Sequence, residues 1–183
     1  LLVPEILLTE HTIHRFEEMF HREHIAVLHS RLTPASRREE WKRIHSGEAA
    51  LVIGSRSALF APCRNLGLVI IDEEHEWTYK NEQTPRYHAR DTAEKLCEFA
   101  GAKLVLGSAT PSLESWARTK NGQYHLARIS RRYKDQALPT VRVIDLAGVK
   151  FGDLYPFSPP LLEAIQQRLD KGEQTVLFLN RRG

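Results

Sequence analysis

Asp72-Glu73-Glu74-His75 carries the densest chemistry in this sequence. Its three carboxylates and imidazole follow directly on the apolar run Leu66-Gly67-Leu68-Val69-Ile70-Ile71. A run this short and mostly β-branched reads as a buried strand of a parallel sheet. Ligand sites in open α/β sheets lie beyond the carboxyl ends of the strands. The acidic cluster therefore stands where chemistry is expected. One carboxylate there can hold Mg²⁺, and the metal in turn holds substrate phosphates. A second can orient or deprotonate a water. Nucleotide hydrolysis is the reading this pattern favours over a strand that simply runs into a solvated acidic turn.

Three further strand ends pass from apolar residues to small polar or basic ones. They are Pro4-Glu5 through Thr9, Gly54-Ser55-Arg56-Ser57, and Gly107-Ser108-Ala109-Thr110. Small residues let backbone N–H groups approach phosphate, and hydroxyls add short hydrogen bonds. Any one of these is an ordinary strand-to-helix turn; four on one sheet edge make a site. Other constellations are weaker. His11, His14, His21 and His24 lie on or near one helix, but no cysteine or carboxylate completes a metal shell with them. Ser57 and Ser108 have no evident His–Asp relay. Arg131-Arg132-Tyr133-Lys134 could touch phosphate but reads as a solvated turn.

The elements that must position these residues alternate. Strands are expected at 1–3, 25–28, 50–53, 66–71, 103–106, 124–129, 141–146 and 174–179. Helices are expected at 9–22 (apolar stripe Ile13, Phe16, Met19, Phe20), 33–45, 86–100, 111–119 and from 158 onward. Thr33-Pro34 sets a cap residue before proline at the first helical position. Residues 76–85 read as an exposed polar loop with embedded aromatics. Strand–helix alternation predicts an α/β fold, a mostly parallel sheet with helices on both faces.

Composition sets outer bounds. The chain has 183 residues, 42% hydrophobic and 27% charged, with a formal net charge of +3. These values suit a globular domain, and the basic lean is compatible with a nucleic-acid partner. Cys63 and Cys97 make neither a disulfide framework nor a zinc spacing, so an intracellular setting is expected. No stretch approaches transmembrane length, and no membrane role is expected. Both ends fall inside apparent core strands, so the sequence reads as a fragment cut at both ends.

With these motifs assembled, a resemblance is evident. Asp72-Glu73-Glu74-His75 resembles the DEEH form of the Walker B box, and Gly107-Ser108-Ala109-Thr110 resembles helicase motif III. Leu2-Val3-Pro4-Glu5-Ile6-Leu7-Leu8-Thr9 resembles motif Ia, and Gly54-Ser55-Arg56-Ser57-Ala58-Leu59-Phe60 motif Ib. With Trp77-Thr78-Tyr79-Lys80, Pro85-Arg86-Tyr87-His88-Ala89-Arg90-Asp91 and Phe178-Leu179-Asn180-Arg181-Arg182-Gly183, the whole chain is similar to the helicase region of the PriA (primosomal protein N′) family, replication-restart helicases of superfamily 2.

The resemblance implies a RecA-like P-loop NTPase lobe at 1–146, a linker at 147–157 and the start of a second RecA-like lobe at 158–183. It implies a cytoplasmic, bacterial, nucleoid-associated 3′→5′ DNA helicase that uses ATP and Mg²⁺. Its partners would be single-stranded and forked DNA, single-strand-binding protein and primosome proteins. Asp72 would hold Mg²⁺ and Glu73 would activate water, while His75, Ser108 and Thr110 would couple nucleotide to DNA. Pro4, Glu5, Thr9, Ser55, Arg56 and Ser57 would line the single-strand path. Trp77 and Tyr79, with Lys80 beside them, would stack on or sense DNA. From the residues alone, Trp77 could equally be packing.

The departures matter as much. No Gly-x-x-x-x-Gly-Lys-Thr occurs in the chain, so the phosphate cradle of the family is missing. In the family that motif lies just before residue 1, while the second lobe's arginines and the zinc-binding cysteines come after Gly183. The P-loop strand is central to such lobes, so an uncovered seam in the sheet is expected. The chain by itself is expected to lack ATP turnover. Two other classes stay open: a non-catalytic nucleic-acid-binding module, and a metal-dependent nuclease using Asp72, Glu73 and Glu74.

Overall fold

The computed structural model describes residues 1–4, 10–130, 139–151 and 154–179. The chain divides into two compact units, Leu1–Ala127 and Arg128–Gly183. In the first, the helices are α1 (Glu10–Phe20), α2 (Pro34–Ser46), α3 (Ala89–Ala100) and α4 (Leu113–Lys120). The strands are β1 (Ile25–Leu28), β2 (Leu51–Gly54), β3 (Leu68–Ile71), β4 (Lys80–Asn81), β5 (Tyr87–His88) and β6 (Lys103–Leu106). The second unit carries α5 (Pro159–Asp170), opened by Ser158 and two prolines.

β1 pairs with β2 and β3 with β6, both in parallel. Residues 1–3 join the two pairs. Leu2 makes parallel bridges to Gly54 on one side and Ile71 on the other. The Leu2 N–H donates to the Ile70 carbonyl at 2.7 Å, and the Asp72 N–H donates to the Leu2 carbonyl at 2.9 Å. Toward β2, the Gly54 N–H donates to the Leu1 carbonyl at 3.1 Å and the Val3 N–H to the Gly54 carbonyl at 2.9 Å. The described order is thus β1, β2, residues 1–3, β3, β6, all running one way. This is the parallel α/β sheet that the alternation predicts.

Alternate residues of each strand face opposite sides. Leu2, Ala26, Leu28, Val69 and Ile71 pack on one face with Ile44 of α2 and Ala93 and Cys97 of α3. Val3, Ile25 and Ile53 pack on the other with Ile13 and Phe16 of α1. Helices therefore cover both faces. β1 and β6 are the end strands of the described sheet, and Leu68 of β3 and Val105 of β6 stand 49% and 47% exposed.

Several local expectations shift. α2 has the predicted cap, with Thr33 Oγ1 accepting from the Ser36 N–H at 3.1 Å, and Gly47 ends it at φ 86°. α3 starts at Ala89 rather than 86, because Tyr87 and His88 are drawn into a short antiparallel ladder with Asn81 and Lys80. α4 starts at Leu113 rather than 111, with Ser112 as its cap. Residues 124–129, 141–146 and 174–179 form no strand. Their backbone groups find no ladder partner among the described residues, and β propensity alone does not make a strand. Met19 and Phe20 of the expected α1 stripe stay 71% and 46% exposed.

Gly54 closes β2 where residues 1–3, β1 and the following turn converge. A Cβ there would lie 2.2 Å from the Leu28 carbonyl oxygen and 2.6 Å from Ala58 Cβ. Gly54→Ala is expected to cost about 3 kcal/mol, since backbone must move to admit it. A lowered denaturation midpoint checks this; an unchanged midpoint would show that the sheet yields at no cost.

Candidate functional site

The carboxyl ends of residues 1–3, β2, β3 and β6 open on one sheet edge, as a parallel sheet requires. From β3 the chain turns at once into Asp72 and Glu73. Glu73 has φ 47°, in the left-handed region that costs a non-glycine residue energy. The turn is held by the Glu73 N–H donating to Asp72 Oδ1 at 3.0 Å. Asp72 is exposed, and its Oδ2 accepts no hydrogen bond among the described residues. An exposed carboxylate with a free oxygen suits Mg²⁺, which takes one or two protein carboxylates and keeps its waters. Among the described residues no group of three His, Cys, Asp or Glu side chains is placed to hold a metal. The four histidines of the α1 region make no such group.

His75 reaches from β3 to the turn after β6. Its Nδ1 lies 2.7 Å from Ser108 Oγ and its Nε2 3.4 Å from Thr110 Oγ1. Glu73 Oε2 is 3.6 Å from the same Nδ1. The imidazole thus stands between the second carboxylate and both hydroxyls of the Gly107-Ser108-Ala109-Thr110 turn. The backbone repeats the link, with the Glu74 N–H donating to the Gly107 carbonyl at 3.0 Å.

Glu74 goes the other way. It is 2% exposed and accepts from the Ser112 N–H at 2.7 Å, Ser112 Oγ at 3.0 Å, Ser115 Oγ at 2.8 Å and Arg90 Nη1 at 3.3 Å. Burial would push this carboxyl up, but the Ser112 N–H, the two serine hydroxyls and the Arg90 charge together hold it below the ordinary carboxylate value. Glu74 is therefore structural, and no three-carboxylate metal site forms. Removing one member of a buried pair leaves the other unpaired, at a cost of roughly 3–5 kcal/mol. Arg90 enters the sequence reading only within the Pro85–Asp91 stretch, and nothing local to it or to Ser112 signals their shared bond to Glu74.

Of the residues expected to meet DNA, Pro4, Ser55, Arg56, Ser57, Trp77 and Tyr79 line one groove of about 500 Å³. Trp77 is 80% exposed. Ser30 and Arg37, the latter on the first turn of α2, also line the groove, and neither was among the residues expected on the single-strand path. Glu5 and Thr9 lie outside the described residues, as do Arg131-Arg132-Tyr133-Lys134 and Asn180 through Gly183.

Two residues expected to meet DNA stand differently. Tyr79 borders the groove but is 1% exposed, and its hydroxyl donates to the Asp72 carbonyl at 2.7 Å. Burial, then the charges of Asp72, Glu76 and Glu73, push its phenol far up, so it stays a donor. A ring buried in this way offers no face to a base. Lys80 is exposed outside the groove, with Nζ 3.7 Å from Glu82 Oε1.

His88 caps α3 through Nδ1, which accepts from the Arg90 N–H at 3.2 Å. Burial and then the Arg90 charge lower its pKa, so it is held neutral. The unfolded chain takes up this proton first. The stabilisation is thus present above the ordinary value of 6.5 and declines as pH falls below it. Glu74 adds a stabilisation present above 4.5 and lost as pH falls through its lower folded value. Thermal unfolding against pH should show both declines. His88→Asn, a cap that does not titrate, should flatten the decline above about pH 5 and leave the lower one. An unchanged upper decline would remove His88 from this account.

The chain is 46% identical over 183 residues to the replication restart protein PriA of Bacillus subtilis (strain 168), covering all of this chain and 23% of that protein. It is 47% identical over 182 residues to that of Haemophilus influenzae and 42% over 182 residues to that of Treponema pallidum, covering 24% and 27% of them. It thus spans about a quarter of the length of these relatives. The family model described as DEAD/DEAH box helicase matches residues 1–119. With well over half of its 183 residues inside that match, the chain belongs to the DEAD/DEAH box helicase family.

Proposed function

We propose that this chain is the core of the first lobe, with the start of the second, of an ATP-dependent 3′→5′ DNA helicase that acts in replication restart. One observation carries the reading: the strand end that bears Asp72 and Glu73 leads within a few residues to Trp77, exposed on the groove of Ser55 and Ser57. A nucleotide site and a strand-gripping groove would then share one turn of backbone. The relatives' name, replication restart protein, supports forked DNA as substrate, with single-strand-binding protein and primosome proteins as partners, in the bacterial cytoplasm at the nucleoid. The linker stays at 147–157 in this reading.

Asp72 would hold Mg²⁺, and the bound ion would neutralise charge on the phosphate oxygens. Glu73 would orient the attacking water. Its carboxylate lies within reach of His75, whose ring touches Ser108 and Thr110. Displacement of Glu73 would therefore be felt at that turn. Trp77 would stack on bases without regard to sequence, since every base has a π face.

In the whole protein, Glu73→Gln is expected to lower ATP turnover by roughly 100-fold or more while sparing ATP binding. Parallel loss of both would make Glu73 structural. Glu73→Gly should lose turnover as fully yet raise stability by up to about 1 kcal/mol, because it relieves the left-handed backbone. Trp77→Ala should weaken DNA stimulation of hydrolysis more than the basal rate, read as ATPase activity against single-strand concentration. An unchanged DNA response would count against the groove.

A further inference from the structure

We propose that Arg56 is a positioning residue that clasps the aromatic loop, residues 76–86, against the groove, and is not a phosphate ligand. This deepens the helicase reading and rests on it for its effect on DNA. Arg56 opens the short 3-10 turn Arg56–Phe60 that follows β2. Its Nη1 donates to the Thr78 carbonyl at 2.9 Å and also to the Lys80 carbonyl, while Nη2 donates to Asn81 Oδ1 at 3.1 Å. The guanidinium carbon sits 5.7 Å from the Tyr87 ring centroid. Phe60, at the other end of the same turn, meets that ring edge-on at 5.2 Å. All of these partners lie on the loop or on β5, which closes it.

Three acceptors take three of the five N–H donors of the planar fork, and the Tyr87 ring lies beside it. The two carbonyls flank the buried Tyr79, and Trp77 precedes them in the same 3-10 turn, Trp77–Tyr79. The clasp therefore fixes the base of the segment that presents Trp77. A phosphate seeking two parallel bonds from Nη1 and Nη2 would have to displace the bonds that Nη1 already makes. Lysine would keep the charge but could neither span the acceptors nor stack on Tyr87 in the same way.

The test compares Arg56→Lys with Arg56→Ala in the whole protein, using an oligothymidine single strand. Both variants are expected to speed amide exchange across residues 76–86 by about tenfold or more, since the loop then opens locally. Both should lower DNA stimulation of ATP hydrolysis several-fold while leaving the salt dependence of DNA affinity unchanged. In a Trp77→Ala background, Arg56→Ala should add less than about twofold, because it acts through that tryptophan. A phosphate ligand would behave otherwise: Lys would preserve stimulation, and Ala would reduce the slope of log affinity against log salt by about one. Either result overturns the clasp, as does unchanged exchange in the loop. The exchange measurement needs neither ATP nor DNA. A protein whose hydrolysis ignores DNA would thus refute the helicase reading while the clasp is still decided by exchange.

Discussion

The sheet depends on three residues. Without residues 1–3, β1–β2 and β3–β6 are separate pairs. With Leu2 laddered to Gly54 and Ile71, they become one surface with a common carboxyl edge. Every candidate group follows from that alignment. Pro4, Ser55 and Ser57 fall on one side of Asp72, and Ser108 and Thr110 on the other. Hydrogen bonds in such a ladder are individually modest. Their importance here is geometric, because they set the register that brings chemically separate turns together.

Around Asp72 the structure divides four consecutive side chains among different tasks. Asp72 faces solvent, Glu73 sits on a left-handed backbone, Glu74 is buried against Arg90 and two serines, and His75 joins the turn after β6. A tight turn sends neighbouring side chains in divergent directions, so this division is what the backbone imposes. The buried carboxylate fixes α3 and α4 beneath the turn. Arg118 adds a second tie between those helices, donating to Glu94 at 2.6 Å and Asp91 at 2.9 Å.

The parallel sheet, its helices on both faces and the strand ends that make the site were legible in the sequence, because burial periodicity and turn residues are local signals. What escaped notice was non-local. Glu74 read as a third metal carboxylate because its partners stand 16 to 41 residues away. Tyr79 read as a base-stacking residue because aromatics beside Trp77 look alike until their burial is known. Arg56 read only as a residue of the single-strand path, because its acceptors on Thr78, Lys80 and Asn81 stand 22 to 25 residues away. The expected strands beyond residue 123 failed for a related reason: a strand is defined by its partner, and the sequence displays only the propensity.

Tyr79 returning its hydroxyl to the Asp72 carbonyl closes a small ring of chain between residues seven positions apart. Within that ring the length of the sequence is not free. One added residue would carry either the phenol away from the carbonyl or Trp77 away from the groove. Beyond it, between Asn81 and Tyr87, the chain spans a hairpin tip tied by Asn81 Nδ2, which donates to the Gln83 carbonyl at 3.1 Å and the Pro85 carbonyl at 2.8 Å. A change of length in that tip disturbs only these two bonds, while the spacing from Asp72 to Tyr79 should tolerate neither insertion nor deletion.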